Sequence, residues 1–219
     1  MLRFDGRYFL CNFVVKSFLA ICDMNEKKML IVVDPQIDFI SGSLPVPGTA
    51  QAMDELATYI KTHARDYALM VVTNDWHPYD HCSFAPNGGP WPVHCVQYSE
   101  GAATYSPLLE ALYASDRPTL FLPKGDLQHR EEYSIVQNSA AREFFEQTLN
   151  PEVVTNPADQ YQQIHVCGIA GDVCVLNTLR DLLPLAGADR ITVLTAYSPS
   201  LDGGKALSDF IAQHGLHTL

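Results

Sequence analysis

Four residues that could carry out acid–base or nucleophilic chemistry each follow a short apolar run. They are Asp34 in DPQIDF, Asp75 in NDWH, Lys124 in PKGD and Cys174 in GIAGDVC. The runs before them are typical of β-strands that are buried on both faces. Because ligands of open parallel sheets bind beyond the carboxyl ends of the strands, we expect these four side chains to share one edge of a sheet.

Cys174 is the candidate nucleophile. It follows a turn of small residues and is predicted to lie in the first turn of a helix. The N-terminus of a helix stabilises a thiolate, and its free N–H groups can bind an oxyanion. A cysteine that only packs in a helix is the ordinary alternative. The acid and the lysine expected beside Cys174 favour the catalytic interpretation.

Asp34 and Lys124 are the candidate partners of this thiol. Asp34 could take the thiol proton and later deliver it to a leaving amine, whereas a cap or turn role is the alternative for an aspartate before proline. Lys124 could keep Asp34 ionised and favour the thiolate, instead of lying solvated at the surface. Asp38, the other acid of this segment, is interpreted as a hydrogen-bonding residue that stabilises the loop.

Possible metal ligands are concentrated in the segment DWHPYDHCSFAPNGGPWPVHC. It contains Asp75, His77, His81 and His94. One carboxylate with several imidazoles suits Zn, Fe or Mn, with positions left open for water or substrate. Asp75 and His77 are two residues apart, so on an extended chain both side chains point the same way and can reach one ion.

Cysteine usage bears on both the compartment and the metal site. The chain has six cysteines, none of them in a CxxC pair, and a chain of this size does not need disulfides. We therefore expect a reducing compartment and a cytoplasmic protein. Cys82 and Cys95 allow a closed structural zinc site as an alternative. That alternative is disfavoured because each cysteine directly follows a histidine and because it leaves the acid–lysine–cysteine group unexplained.

Alternating strands and helices must position these residues. Apolar runs predict strands over residues 29–33, 68–73, 119–122, 164–167 and 191–194. Helical spacing predicts helices over residues 49–65, 140–149, 173–183 and 205–213. This alternation indicates an α/β fold with parallel strands and right-handed crossovers. The longest irregular stretch, 74–106, is long enough to indicate a functional loop.

The composition is that of a globular protein with an acidic surface. Of the 219 residues, 47% are hydrophobic and 18% are charged, which is sufficient for a hydrophobic core. Acidic side chains number 25 against 14 basic ones, a net charge of −11. Such a surface repels nucleic acid and anionic lipid, so neither a nucleic acid nor a membrane is expected as a partner.

The first 23 residues differ from the rest of the chain. Arginines precede an apolar stretch there, as in a signal peptide, but Lys16 interrupts it and no A-x-A-like cleavage site follows. The stretch is also too short to span a bilayer. We interpret residues 1–27 as an N-terminal extension outside the fold, with a natural chain start at Met24 and a membrane anchor as the alternative. Residues 28–219 are expected to form one domain.

Taken together, the motifs resemble the nicotinamidases of the isochorismatase-like cysteine hydrolase family. From about residue 28 onward they are DPQIDF followed by GSLPVPG, then TNDWHPYDHCSF, GGPWPVHC, KG with EEYS downstream, and GIAGDVCV. The resemblance implies a three-layer α/β/α, doubly wound fold with a mostly parallel sheet of five to six strands. It also implies a hydrolase that converts nicotinamide to nicotinate and ammonia in NAD salvage, that acts on pyrazinamide as well, and that could form a homo-oligomer.

The resemblance also assigns roles to residues. It implies a catalytic triad of Asp34, Lys124 and Cys174. It implies one divalent metal, zinc in preference to Fe or Mn, on Asp75, His77 and His94, where it would bind the pyridine nitrogen. His81 matches a ligand in only some members and is left open.

Further roles concern the pocket. The resemblance implies a cis peptide before Ala170, and an oxyanion hole made by the N–H groups of Ala170 and Cys174. It places Phe39, Trp76 and Tyr133 on the pocket walls. Gly171 stands where many members have a larger residue.

Two alternatives remain for the function. One is a related amidohydrolase acting on another small amide, which the metal ligands disfavour because a metal suits a ring nitrogen. The other is a non-catalytic metal-binding protein on the same fold, which the complete acid–lysine–cysteine set disfavours.

Overall fold

The structure, a computed structural model, describes residues 27–219 and contains a six-stranded sheet. The strand order is β3-β2-β1-β4-β5-β6, and each neighbouring pair is parallel. The strands are β1 (Lys28–Val33), β2 (Leu69–Asp75), β3 (Thr119–Lys124), β4 (Gln163–Gly168), β5 (Ile191–Val193) and β6 (His217–Thr218).

Six α-helices connect and cover these strands. They are α1 (Ile37–Ile40), α2 (Thr49–His63), α3 (Ser106–Ala114), α4 (Ser139–Leu149), α5 (Leu176–Ala186) and α6 (Lys205–His214). A π-helical turn, Gly171–Val175, leads directly into α5. These six helices are those of residues 27–219.

The sheet is doubly wound. The chain proceeds outward from β1 through β2 to β3, then returns and adds β4, β5 and β6 on the other side of β1. The winding direction therefore reverses between β1 and β4, which is where open α/β sheets bind ligands. The predicted fold is confirmed, with six strands.

Two hydrophobic cores make the three layers. Alternate residues of β1 face opposite sides of the sheet, as the period of a strand requires. Met29 and Ile31 belong to the core that contains residues of α4, α5 and α6. Leu30 and Val32 belong to the core with residues of α2 and α3. All four of these side chains are fully buried, so β1 is the centre of the fold.

Besides the four-residue helix α1, which was not predicted, three elements differ from the sequence prediction. The helix predicted over 173–183 begins as the π-helical turn and continues as α5 to Ala186. Neither α3 nor β6 was predicted. Helix α3 has nine residues, with a proline in its first turn, and β6 has only two, so neither shows a long periodic pattern.

The predicted N-terminal extension lies outside the described residues, apart from Lys27. The backbone N–H of Lys27 donates to Gln162 Oε1 at 2.7 Å, so Lys27 already contacts the domain. Among residues 27–219, no helix is both long and apolar enough to cross a membrane.

Candidate active site

The ends of three strands bring Asp34, Lys124 and Cys174 together. Asp34 follows β1, Lys124 ends β3, and Cys174 lies in the turn after β4. Lys124 Nζ is 2.9 Å from Asp34 Oδ2 and 3.7 Å from Cys174 Sγ. All three residues are buried. The structure thus assembles the predicted acid, lysine and thiol at one edge of the sheet, at the point where the winding reverses.

Asp34 is held by β2. It has a left-handed backbone (φ 47°), and its N–H donates to Thr73 O at 3.1 Å. Thr73 Oγ1 donates to Asp34 Oδ1 at 2.7 Å. Burial raises the pKa of Asp34 to about 6, against the opposing effects of the Lys124 charge and the Thr73 hydrogen bond. At neutral pH the carboxylate is therefore mostly ionised, and its pKa suits a general base.

Burial and the charges of neighbouring residues both shift the pKa of Lys124 and the pKa of Cys174. Burial lowers the pKa of the Lys124 ammonium, but Asp34 and Asp75 outweigh it and raise that pKa well above its ordinary value. Burial raises the pKa of the Cys174 thiol, and the Lys124 charge only partly offsets this. Lys124 is therefore a fixed positive charge, and Cys174 is a neutral thiol beside an ionised acid. Lys124 does favour the thiolate, but burial of the sulfur has the larger effect on the pKa of Cys174.

The turn that carries Cys174 packs closely against a neighbouring loop. It begins after the cis peptide Ile169–Ala170, and Ala170 O accepts the N–H groups of Val173 and Val175 at 3.1 Å each. A Cβ on Gly171 would lie 2.3 Å from Ser200 Oγ and 2.5 Å from Ser198 O. This close approach explains why a residue without a side chain stands at position 171.

A second cluster lies beside the first. Asp75 ends β2, and its Oδ2 is 3.6 Å from His77 Nε2 and 3.9 Å from His94 Nε2. One ligand atom from each of the three residues lies within 4.8 Å of the other two. Lys124 Nζ also donates to Asp75 Oδ1, so this carboxylate connects the two clusters.

Both imidazoles are oriented for metal binding. The Nδ1 atoms of His77 and His94 lie 2.8 Å from the carbonyl oxygens of Gly125 and Pro92, respectively. A carbonyl only accepts, so Nδ1 carries the proton and Nε2 keeps a free lone pair. In the described chain, His77 Nε2 is buried without a hydrogen-bond partner. Two nitrogens and one carboxylate oxygen fit a divalent ion with open positions.

The electrostatics of this cluster also favour a cation. Burial raises the pKa of Asp75, but Lys124, His77 and His94 outweigh burial and lower it below its ordinary value. Burial lowers the pKa of His77, whereas Asp75 raises it, with a net upward shift. Burial lowers the pKa of His94, and Asp75 offsets this only in part. Asp75 therefore remains negative and attracts positive charge to the Nε2 atoms.

His81 does not share a ligand group with Asp75 and His94, but its ligand atom lies close enough to those of His77 and Glu131 to form a second possible group. Its Nδ1 is 2.7 Å from Ser83 Oγ, and its Nε2 is 3.0 Å from Arg130 O, so both ring nitrogens have partners. Its ring stacks on His77 with a centroid separation of 4.1 Å. Neither Cys82 nor Cys95 belongs to a candidate ligand group formed by the described residues, so the closed Cys/His zinc site receives no support.

The two clusters open on one cleft, the first through Cys174 and the second through Asp75 and His94. Its polar lining consists of Asp75, His94, Glu131 and Cys174, and Ala170 adds a small apolar side chain beside them. Its apolar and aromatic lining consists of Phe39, Leu44, Val46, Trp91, Tyr133, Val173 and Leu201. Ala170 and Cys174, the predicted oxyanion residues, are both on this surface.

One predicted pocket residue is elsewhere. Trp76 is absent from the cleft lining, and its ring packs edge-on against Tyr98 at 5.2 Å. Consecutive residues of an extended chain point in opposite directions, so Trp76 faces away when Asp75 faces the cleft. Trp91 occupies the wall instead, and its Nε1 donates to Tyr133 Oη at 3.0 Å. Of the three residues predicted for the wall, Phe39 and Tyr133 line this cleft and Trp76 does not.

Sequence reasoning missed a positioning residue in the first motif. Gln36 is fully buried; its Nε2 donates to Asp75 O, and its Oε1 accepts the N–H of Asp75, both at 2.7 Å. The one sequence feature that pointed to Gln36 was its position between Asp34 and Asp38 in the motif DPQIDF. Asp38 behaves as predicted, since its carboxylate accepts the N–H groups of Ser43 at 3.0 Å and Cys95 at 2.7 Å.

Comparison with curated proteins finds nicotinamidases. The nicotinamidase/pyrazinamidase of Mycobacterium tuberculosis is 32% identical over 180 residues, which cover 77% of this chain and 86% of that protein. The nicotinamidase of Saccharomyces cerevisiae is 30% identical over 177 residues, which cover 69% of this chain and 79% of that protein.

Comparison with solved structures also finds a pyrazinamidase and a nicotinamidase. A zinc complex of the pyrazinamidase of Pyrococcus horikoshii superposes with a TM-score of 0.71 at 28% identity, covering 88% of this chain and 98% of that one. The yeast nicotinamidase Pnc1p bound to the inhibitor nicotinaldehyde has a TM-score of 0.71 at 25% identity, covering 88% and 99%. The model of the isochorismatase domain matches residues 28–187.

Proposed function

Because this chain belongs to the isochorismatase domain family, we propose that it is a nicotinamidase, a hydrolase that converts nicotinamide to nicotinate and ammonia. The observation that carries this proposal is the shared cleft, onto which the Asp34–Lys124–Cys174 group and the Asp75–His77–His94 ligand set both open. Nicotinamide has a ring nitrogen and a carboxamide. One molecule in the cleft can therefore place its ring nitrogen at the metal-ligand set and its carboxamide at Cys174.

Cys174 is the nucleophile in this proposal. Its sulfur attacks the carboxamide carbon while its proton passes to Asp34, and the N–H groups of Ala170 and Cys174 stabilise the oxyanion. The C–N bond then breaks, and Asp34 gives the proton to departing ammonia. In the second half, Asp34 takes a proton from a water whose oxygen attacks the thioester carbon. The C–S bond then breaks, Asp34 returns the proton to the Cys174 sulfur, and the acid product loses its own proton to solvent and leaves as nicotinate. Lys124 keeps Asp34 ionised before each of these proton transfers.

Asp75, His77 and His94 would hold the metal, and we infer zinc, as in the similar Pyrococcus pyrazinamidase. When bound, a divalent ion supplies a Lewis acid for the ring nitrogen and so orients the carboxamide toward Cys174. Phe39, Trp91 and Tyr133 would contact the ring. Pyrazinamide retains a ring nitrogen and a carboxamide, so it fits the same site. Nicotinate made here would supply NAD salvage.

Ammonia release from nicotinamide by the purified protein tests this proposal. We expect turnover by the wild type, none by Cys174→Ala, and normal turnover by Cys167→Ala. Cys167 is the matched control because it is also a buried thiol but lies within β4, away from the cleft lining. Chelation of the metal should lower turnover, and added Zn²⁺ should restore it. Release of ammonia from another small amide but not from nicotinamide would support the related amidohydrolase instead.

A further inference from the structure

The loop between β5 and α6 passes over the turn that carries Cys174. The Gly171 N–H donates to Pro199 O at 2.8 Å, which fixes the beginning of the contact. Leu201 follows two residues later, lines the cleft and is still 42% exposed. The loop therefore contributes an apolar wall beside the nucleophile, and a bound ring would cover part of the exposed Leu201 surface.

The Asp172 carboxylate binds the backbone of this loop at Leu201 and Asp202. Its Oδ1 accepts the N–H of Leu201 at 3.0 Å, and its Oδ2 accepts the N–H of Asp202 at 2.9 Å. Asp202 in turn accepts the N–H groups of Gly204 and Ala206, both at 2.8 Å, at the start of α6. The loop is thus held at three successive points. These are the Pro199 carbonyl, the N–H groups of Leu201 and Asp202 bound by Asp172, and the Asp202 carboxylate at the start of α6.

We propose that Asp172 is a positioning residue for substrate binding, which holds Leu201 against the ring of the bound amide. The inference rests on the proposed function. Asp172 lies two residues from Cys174, yet its carboxylate binds the loop. Leu201 contacts a part of the substrate that does not change during the reaction. Such a contact stabilises the ground state and the transition state equally, so it lowers KM and leaves kcat unchanged.

Steady-state kinetics with nicotinamide test this role in Asp172→Ala, Leu201→Ala and the double variant. Each single variant is expected to raise KM about tenfold and to change kcat by less than about twofold, as loss of one apolar contact does. The double variant should resemble Asp172→Ala, because both changes remove the same contact. Alkylation of Cys174 by iodoacetamide should keep its wild-type rate. Asp209→Asn is the control, since Asp209 is exposed on α6 and pairs with Lys205.

Three results would overturn the inference. They are an unchanged KM in Asp172→Ala, additive increases of KM in the double variant, and a collapse of kcat with slower alkylation of Cys174. The last result would make Asp172 a support of the nucleophile turn. If Asp172→Ala does not fold, Asp172→Asn replaces it; it keeps one acceptor oxygen, and a smaller increase of KM is expected. Absence of ammonia release by the wild type would overturn the proposed function instead.

Discussion

Charge at the buried nucleophile depends on Lys124. Burial raises the pKa of both Asp34 and Cys174, and the Lys124 ammonium is the group that opposes burial at both. Two unit charges about 4 Å apart interact by roughly 4 kcal/mol at an effective dielectric constant near 20. An interaction of that size decides whether Asp34 is ionised and how readily the thiol loses its proton.

Lys124→Met therefore tests the triad. The change keeps most of the aliphatic stem and removes the charge. We expect kcat to fall at least about a hundredfold, which is within the range for general acid–base groups. Alkylation of Cys174 at neutral pH should slow, while metal content stays near the wild-type value because the three ligands remain. Lys205→Met, at an exposed lysine, is the control. Unchanged alkylation in Lys124→Met would reduce the triad to a dyad of Asp34 and Cys174.

The metal ligands give a second test at the level of single residues. His77→Ala and His94→Ala each remove one of three ligands, so metal content and affinity should fall and KM should rise. His214→Ala, a change near the C-terminal end of α6, should leave both unchanged. Metal analysis of the purified variants measures this directly. Equal metal content in all three variants would contradict the proposed site.

At the scale of the elements, the segment after β3 supports His77, the proposed metal ligand that follows β2. Gly125 has a left-handed backbone (φ 64°), and a Cβ there would lie 2.5 Å from His77 Cε1. Its carbonyl accepts the Nδ1 proton of His77, and its N–H donates to the buried Glu132 at 3.0 Å. The orientation of His77 thus depends on a neighbouring loop as well as on its own chain segment after β2.

Gly125→Ala should displace the His77 ring and lower metal content. Gly215→Ala is the matched control, because Gly215 has the same φ of 64° in a left-handed backbone, but a Cβ there meets nothing within 4 Å. Both variants should lose about 1 kcal/mol of stability from backbone strain. Only Gly125→Ala should lose metal, as measured by metal analysis beside thermal unfolding. Full metal content in Gly125→Ala would show that the loop does not orient His77.

At the scale of the whole molecule, the doubly wound sheet creates the site. Because the winding reverses between β1 and β4, the segments after these two strands separate and leave a crevice for Asp34 and Cys174. Both hydrophobic cores and both residue clusters lie within residues 27–219.

A chain that starts at Met24 should therefore fold and keep its activity. We expect its Tm to lie within about 2–4 °C of the full-length value, which corresponds to roughly 1 kcal/mol for a domain of this size. Its kcat and KM for nicotinamide should match those of the full chain. Loss of folding on this truncation would mean that residues 1–23 pack on the domain, contrary to the predicted extension.

Local sequence was sufficient for the order of the elements and for much of the site. Apolar runs followed by Asp34, Asp75, Lys124 or Cys174 placed these residues at strand ends, because parallel strands present their carboxyl ends at one edge. The spacing of Asp75 and His77 placed both on one side of an extended chain. These predictions depend only on periodicity, which is a property of neighbouring residues.

Only the tertiary structure decided which side chains surround the cleft. Trp91 reaches the cleft wall from the long loop, whose path depends on distant contacts such as the hydrogen bond from Trp91 Nε1 to Tyr133 Oη. The pKa of Cys174 depends on burial by the folded chain. The wall formed by Leu201 requires contacts between residues about 30 positions apart, such as Asp172 and Asp202. Local patterns do not contain such long-range contacts, since they form only when separate elements pack.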